Sequence, residues 1–203
     1  MADEEIERRE ELLEKIVDVL LEEGISELSL RPLSAAVGSS ARLLIYHFGS
    51  KEELIAAALD RVRSRITKAV GELIERQKTA SLEDFLRVVW KWSVKDTNQR
   101  YFRLLFEIDG LAMHGRNIVL PKDRVAGVTR WVKIFEKKVE TLADTAAARN
   151  AASTFIVSAI DGLLHDYFAT GDLKRTTAGL NFLIEILSNQ ALTHQRNSRK
   201  KKL

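Results

Sequence analysis

The stretch that decides the fold is SLRPLSAAVGSSARLLIYHFGSKEEL, which spans residues 29–54. Ser29 is placed to cap a short helix, and Gly38 is placed to end it. Ser39 or Ser40 is then placed to cap a second short helix. Two short helices joined through a glycine turn predict a helix–turn–helix, although helical corners of this kind also occur in proteins that bind no nucleic acid.

A long helix is predicted to follow the second short one, which Gly49 ends. Ser50 stands three residues before Glu53, which is the pattern of a capping box. The apolar positions along one side of the long helix are Leu54, Ala58, Val62, Ile66 and Val70. Continued to about Gln77, this helix is roughly 40 Å long, a length that links two structural units or braces a bundle.

The rest of the chain is predicted to be helical as well. An amphipathic first helix, with Leu13, Ile16, Val17 and Leu20 on its apolar side, ends at Gly24. The later helices are predicted at Leu82–Lys95, Gln99–Met113, Lys122–Leu142, Thr145–Thr170 and Arg175–His194. The expected fold is all-α with about nine helices. We expect a helix–turn–helix domain of three short helices over residues 1–52, a second helical domain over 53–195, and a basic, disordered tail over 196–203.

Composition excludes several classes of protein. The 203 residues include two prolines and no cysteine, so helix is favoured and neither a disulfide nor a thiolate metal site is expected. No apolar run reaches about 18 residues, so no membrane span is expected. The acidic, charged start does not fit a secretory signal, and a cytoplasmic location is expected.

Charge is unevenly distributed along the chain. Residues 1–60 carry six basic and fourteen acidic side chains, whereas residues 61–203 carry 26 basic and 15 acidic ones. Within residues 28–51, however, Arg31, Arg42, Lys51 and His47 occur and acidic residues do not. Attraction to DNA depends on the local field near the phosphates, so this acid-free segment is the candidate for contact.

The second short helix has the chemistry of a recognition helix. Leu44 and Phe48 fit the core, while Arg42 can donate two hydrogen bonds to a guanine in the major groove. Tyr46 and His47 can reach phosphate oxygens near the helix end. A catalytic His47 would need a nucleophile or an acid beside it, and the sequence contains no nucleophile motif, phosphate loop or metal-ligand spacing. We therefore expect that the protein is not an enzyme and uses no cofactor.

Extended to Leu59, the opening stretch resembles the DNA-binding segment of the tetracycline-repressor (TetR) family. The matching positions are Gly38, His47, Phe48, Ser50, Lys51, Glu52 and Leu54. One position departs from the family pattern: the tyrosine that usually stands two residues before the histidine is Ile45 here, and Tyr46 follows it. One residue is about 100° around a helix, so Tyr46 need not make the same phosphate contact.

The resemblance and the local chemistry together predict a DNA-binding surface. Lys51 and the free amides at the start of the long helix would supply a further phosphate site. The residues of this surface are predicted to be Ser29, Arg31, Ser39, Ser40, Ala41, Arg42, Leu43, Ile45, Tyr46, His47 and Lys51.

The resemblance also implies that the C-terminal part binds a ligand and forms a dimer. A pocket needs apolar walls and a few polar groups, and the candidates are Trp90, Phe102, Phe106, Met113, Trp131, Phe135, Phe155, Asp161, His165 and Phe168. Each aromatic residue among them also fits a plain core. The spacing of Asp161 and His165 suits a hydrogen-bonded pair or a polar pocket wall, and a metal site with His114 is not expected because no third ligand is evident.

Apolar stripes on the last two helices are candidates for a four-helix dimer interface. The predicted interface residues are Ile160, Leu164, Leu180, Leu183, Ile184 and Leu187, which also fit packing inside one subunit. A palindromic DNA site favours the dimer, because it requires two reading heads about 34–36 Å apart.

The sequence therefore predicts a transcriptional repressor that binds double-stranded DNA as a homodimer and is released by a small, largely apolar effector. The long helix is the expected lever between the effector and the DNA. Two alternatives remain open, a transcriptional activator of the same fold and a helical protein that binds small molecules or partners without any DNA role.

Overall fold

Helix-forming residues and well-placed stops divide the chain into a series of helices. The computed structural model describes residues 2–25, 29–77, 81–116, 121–140 and 142–200. Within these residues every regular element is an α-helix. The helices are α1 Ala2–Glu23, α2 Leu30–Ala36, α3 Ala41–Phe48, α4 Lys51–Gln77, α5 Leu82–Ser93, α6 Asp96–Met113, α7 Pro121–Glu136, α8 Ala146–Thr170 and α9 Leu173–Lys200. The all-α prediction is confirmed.

Caps define most of the helix ends. Gly24 ends α1 with a positive φ of 77°, and Gly171 ends α8 with a φ of 71°. Ser81 and Thr145 accept hydrogen bonds from the amides of Asp84 (3.0 Å) and Ala148 (3.2 Å), which caps α5 and α8. None of the described helices is long and apolar enough to cross a lipid bilayer.

The predicted end of α7 at Leu142 is wrong, because the helix ends at Glu136. The chain turns there, with the amides of Lys138 and Val139 both donating to the Phe135 carbonyl at 2.7 and 3.1 Å. Val139 and Leu142 are buried after the turn. Because they keep the helical spacing of the residues before them, their pattern gives no sign of the turn.

The last helix is longer than the sequence predicted. It continues to Lys200, where we expected a disordered tail after Gln195. Residues 195–200 contain neither glycine nor proline, and their arginine and lysine are good helix formers, so nothing in this segment stops α9. Residues 201–203 of the predicted tail lie outside the described part.

The chain packs as two units. The first contains α1, α2, α3, α4 up to Ala69, α6, and α7 up to Gly127; the second contains the remainder of α4 and α7 together with α5, α8 and α9. The core of the first unit is formed by the apolar faces of α1 and α4 that the sequence predicted, from Leu13 to Leu20 and from Leu54 to Ile66. This division by packing differs from the functional division predicted after residue 52, which stays a prediction.

Candidate nucleic-acid interface

The turn between α2 and α3 has the geometry of a helix–turn–helix. Gly38 has a φ of 67°, and its amide donates to the Ala35 carbonyl at 3.1 Å. The Ser39 amide donates to the Ser34 carbonyl at 2.8 Å, which closes the turn. Of the two candidate caps, Ser40 caps α3: its hydroxyl accepts from the Leu43 amide at 3.2 Å. Ser29 takes the N-cap position of α2 without a side-chain hydrogen bond.

Helix α3 has one buried and one open face. Leu44 and Phe48 are buried, as predicted. Arg42, Leu43 and Tyr46 are exposed, and 67% of Tyr46 is accessible to solvent. An arginine near the start of an open helix face has the position that major-groove readout requires.

The other predicted contact residues differ in accessibility. Ser29, Arg31 and Ser40 are exposed, whereas Ser39, Ala41, Ile45, His47 and Lys51 are half-buried. The Ser39 hydroxyl oxygen is buried and has no hydrogen-bond partner among the described residues. Of the predicted set, the Ser39 side chain is therefore poorly placed to reach DNA.

Tyr46 engages the first helix. A hydrogen bond to the Glu5 carboxylate, together with the charge of that carboxylate, raises the pKa of the Tyr46 hydroxyl above its ordinary value. The Tyr46 ring also meets the His47 ring edge to face, with centroids 5.2 Å apart. Tyr46, which stands one place later than the tyrosine of the family pattern, is thus exposed, but its hydroxyl is hydrogen-bonded to Glu5.

Arg9 of α1 fastens the end of the recognition helix. Its Nε donates to the His47 carbonyl at 3.2 Å, and its guanidinium lies 4.8 Å from the centroid of the Phe48 ring. This is within the range of a cation–π interaction. Sequence reasoning missed both Glu5 and Arg9, because they lie about forty residues from their partners and no local pattern connects them.

The start of α4 is fixed by the predicted capping box. The Glu53 amide donates to the Ser50 hydroxyl, and that hydroxyl donates to the Glu53 carboxylate, each at 3.1 Å. Gly49 precedes the box with a φ of 84° and a ψ of −65°. A Cβ at Gly49 would displace the flexible end of the Glu53 side chain, and the positive φ is a conformation that glycine adopts without strain, so the junction between α3 and α4 favours glycine.

An ion-pair ladder joins α1 to α4. Arg61 binds Glu10 and Glu14, and Arg65 binds Glu14 and Asp18, the last contact at 2.8 Å. Burial raises the pKa of Glu14, but the hydrogen bonds and charges of Arg65 and Arg61 outweigh burial and hold that pKa below its ordinary value. The ladder holds α4 against the helix that also fastens the recognition helix.

The predicted ligand-binding residues do not share one environment. Phe102, Phe106 and Met113 belong to the first unit and the other seven to the second. Met113 is 86% exposed and Phe155 is 58% exposed. Asp161 and His165 are also exposed, while Trp131, Phe168 and Phe106 are half-buried.

Three of the predicted ligand residues, Trp90, Phe102 and Phe135, are buried in the core, and two of them make specific contacts there. The Trp90 indole nitrogen donates to the Thr177 hydroxyl at 3.0 Å, and the Phe135 ring meets the Phe85 ring edge to face at 5.0 Å. Both side chains are buried. The described residues contain no cluster of three or more histidine or acidic side chains that could hold a metal ion.

The six residues predicted for the dimer interface lie inside the second unit of the single chain, and their role in a dimer stays a prediction. All six, Ile160, Leu164, Leu180, Leu183, Ile184 and Leu187, are buried inside the second unit. Their stripes pack α8 and α9 against the rest of that unit, so they offer almost no surface to a partner. Other apolar side chains of the same two helices are exposed to solvent, namely Phe155 on α8 and Phe182 and Ile186 on α9, with Phe182 65% exposed. The sequence analysis did not assign them to an interface.

Comparison with known proteins shows that part of the sequence matches a known family. Residues 12–58 match the model of the family described as "Bacterial regulatory proteins, tetR family". A relative, the HTH-type transcriptional regulator PksA of Bacillus subtilis (strain 168), is 25% identical over 127 residues, which are 55% of this chain and 62% of PksA. The chain thus aligns with less than two thirds of that relative's length.

Solved structures resemble the fold over most of its length. A TetR-family transcriptional regulator from Cytophaga hutchinsonii superposes with a TM-score of 0.73 and 16% identity, covering 92% of this chain and 96% of its own. A structure described as a putative TetR-family transcriptional regulator from Rhodococcus sp. superposes with a TM-score of 0.71 and 16% sequence identity, and the match covers 91% of this chain and 98% of that one. The multidrug binding protein EbrR, complexed with imidazole, superposes with a TM-score of 0.63 and 21% sequence identity, and the match covers 91% of this chain and 89% of that one. At these identities the likeness shows the fold alone.

Proposed function

We propose, from the match of residues 12–58 to the tetR family of bacterial regulatory proteins, that the chain binds a palindromic operator as a homodimer and represses transcription until an effector releases it. The family consists of transcription factors, which confirms the expectation that the chain is not an enzyme. The observation that carries the proposal is the open face of α3, with Arg42 and Tyr46 exposed and Leu44 and Phe48 anchored.

Arg42 is proposed to read a base. It is the second residue of α3 and is exposed. A guanidinium at such a position donates two parallel hydrogen bonds to O6 and N7 of a guanine, which discriminates against other bases by about 1–3 kcal/mol. The neighbouring Leu43 is exposed as well and is suited to contact a thymine methyl group.

Phosphate contacts are proposed at the junction of α3 and α4. His47 lies in the last turn of α3, and Lys51 is the first residue of α4. The N-terminus of α4 adds the positive end of a 27-residue helix. These contacts set the register of α3 on the duplex and carry no base preference.

Dimerisation is proposed through the open apolar surface of α8 and α9. Phe182 and Ile186 are one helical turn apart on α9, and Phe155 lies on α8. Exposed phenylalanine and isoleucine side chains grouped in this way mark an interaction site. A second copy covers this surface and supplies the second reading head that a palindrome needs.

The effector is proposed to act by shifting populations. The effector binds the second unit more tightly in a conformation in which the two DNA-binding domains of the dimer are not spaced to fit the operator. It thereby shifts the population away from the DNA-bound conformation. Helix α4 remains the proposed lever, because its residues up to Ala69 belong to the first unit and the remainder belongs to the second. The description of EbrR as a multidrug binding protein supports a small-molecule effector. Activation in place of repression stays an alternative, and a cytoplasmic location stays a prediction.

Gel shifts with sheared genomic DNA test the proposal. The wild type is expected to retain a subset of fragments, with an affinity that falls steeply as salt rises. Arg42→Ala is expected to lose this selection, and Lys174→Ala, an exposed residue at the start of α9, serves as the matched control. Equal retention of all fragments by wild type and Arg42→Ala would favour a helical protein with no specific DNA role.

A further inference from the structure

The second unit contains a cavity that has no role in the proposed function. It has a volume of about 450 Å³ and lies between the start of α5, the turn after α7 and the middle of α9. Its apolar wall is formed by Leu86, Leu142, Ile184 and Leu187, and we call it the α5–α9 cavity. None of the residues predicted for ligand binding or proposed for DNA contact lines it. Its size falls within the roughly 300–1,000 Å³ typical of small-molecule sites.

The rim of this cavity is positively charged. Lys137 and Lys138 both line it, and among the described residues neither ammonium group is paired with a carboxylate. Lys138 is half-buried, and its Nζ lies 5.6 Å from the centroid of the Phe85 ring. A cation–π contact of this kind keeps the ammonium group at the rim.

Acidic side chains at the rim do not cancel this charge. The Glu83 carboxylate accepts from the Arg87 guanidinium at 3.0 and 3.2 Å, so its charge is already compensated. Glu140 is exposed and is the other carboxylate that lines the cavity. Two ammonium groups therefore face one uncompensated carboxylate above an apolar wall.

Dimerisation through α9 would leave the cavity accessible. Ile184, Ser188 and Ala191 line the cavity, whereas Phe182 and Ile186 form the open apolar surface. At about 100° per residue, Phe182 and Ile186 lie roughly 160–200° around the helix from Ile184. The cavity and the proposed dimer surface are thus on opposite sides of α9.

We propose that the α5–α9 cavity binds a small amphiphile with an anionic head group, its alkyl chain against Leu86, Leu142, Ile184 and Leu187 and its head between Lys137 and Lys138. The apolar wall accounts for the chain, and the ammonium pair accounts for the charge of the head. A carboxylate and a phosphate monoester share this chemistry, so both are used as probes. Because the site needs no DNA, its test is independent of the proposed operator binding.

Isothermal titration calorimetry on the full chain tests the site with decanoate and decyl phosphate, each below its critical micelle concentration. Saturable binding at one molecule per chain is expected for at least one of them, and the stronger of the two identifies the head group. Octanoate is expected to bind about an order of magnitude more weakly than decanoate, because each buried methylene contributes about fourfold. Decanol and decyltrimethylammonium are expected to bind more weakly than either anion.

Variants of the lining residues then test whether the ligand binds in this cavity. Replacing Lys137 and Lys138 together by glutamine is expected to weaken binding of the anions about tenfold or more, while Lys133→Gln, an exposed residue of α7 outside the cavity, leaves it unchanged. Ala191→Trp is expected to fill the cavity and abolish binding, with circular dichroism to verify folding. The proposal is overturned if neither anion saturates, if decanol binds as tightly as the anions, or if the lysine pair has no effect.

Discussion

At the scale of single residues, the surface of α3 that is proposed to contact DNA is organised by contacts to α1. Tyr46 shares its hydroxyl with Glu5, and Arg9 holds the His47 carbonyl and the Phe48 ring. An acidic side chain beside a surface proposed for phosphate contact lowers affinity for DNA through repulsion. We therefore expect Glu5 both to orient Tyr46 and to limit how tightly this surface binds DNA.

Replacing Glu5 by glutamine tests this role. The pKa of Tyr46 is expected to fall toward its ordinary value, because its hydrogen bond to the carboxylate is lost and the charge that disfavours the tyrosinate is removed. Ultraviolet titration in a background with Tyr101 and Tyr167 replaced by phenylalanine reports Tyr46 alone, since the chain has three tyrosines. Affinity for DNA is expected to rise in Glu5→Gln and to stay constant in Glu7→Gln, and an unchanged Tyr46 titration would show that Glu5 does not hold it.

Two glycines of the DNA-binding domain offer a matched comparison. Gly38→Ala places a side chain at a φ of 67° in open space, so its cost in unfolding free energy is about 1–2 kcal/mol of backbone strain. Gly49→Ala is expected to cost more, because its Cβ would also displace the Glu53 carboxylate of the capping box. Urea unfolding measures the free energy of unfolding of both variants. Equal losses would mean that the Glu53 carboxylate moves aside with no loss of stability.

The residues that sequence reasoning found and missed differ in a simple way. Gly38, Ser40, Leu44, Phe48 and the Ser50 box follow local rules of capping and periodicity, and the structure confirms these roles. Glu5 and Arg9 act across about forty residues of sequence. No helical period or cap rule relates such positions, so only the packing of α1 against α3 reveals them.

At the scale of elements, the ladder between α1 and α4 gives stability a defined pH dependence. The folded-state pKa of Glu14 is lowered, so its contribution is present above the pKa of the unfolded chain and is lost as pH falls through the folded value. Glu14→Gln is expected to lower the free energy of unfolding at pH 7 by about 0.5–1 kcal/mol, a value reduced by solvent screening of a half-exposed carboxylate. The difference from wild type is expected to disappear in acid.

Denaturant titrations at neutral and acidic pH measure this effect. Glu7→Gln, on the exposed side of α1, is the control and is expected to match the wild type at both values. A loss in Glu14→Gln that persisted in acid would assign the effect to packing and not to the charge of the ladder.

The helices themselves were predictable where breakers or caps mark them. Gly24, Ser81, Thr145 and Gly171 are such marks, and the helices they bound lie close to their predicted positions. The end of α7 was not predictable, since Val139 and Leu142 keep helical spacing through a turn. An apolar stripe likewise does not show whether it packs inside its own subunit or against another copy. Ile160 and the other residues predicted for the dimer interface are buried in the single chain.

At the scale of the whole molecule, the proposed dimer is tested on its open apolar surface. Phe182→Asp combined with Ile186→Asp is expected to yield a monomer by light scattering, because two charges would have to be buried in the interface. Val125→Asp, which alters an exposed apolar residue of α7, is expected to leave the dimer intact. A dimer that survives the paired α9 change would place the interface elsewhere.

Loss of the dimer has a consequence for DNA. A single head makes half of the contacts, so the monomeric variant is expected to bind a palindromic site weakly while its α3 remains folded. Circular dichroism establishes the fold, and fluorescence anisotropy with a labelled site measures the affinity.

The most direct measurement is a DNase I footprint on a DNA fragment selected by the wild-type protein. Operator binding by a dimer predicts protection of a palindrome whose half-sites are centred about one helical turn, or a multiple of it, apart. Arg42→Ala is expected to lose this protection, and Lys174→Ala is expected to retain it. A protected site without two-fold symmetry, or protection that is identical in Arg42→Ala, would contradict operator reading by a dimer through α3.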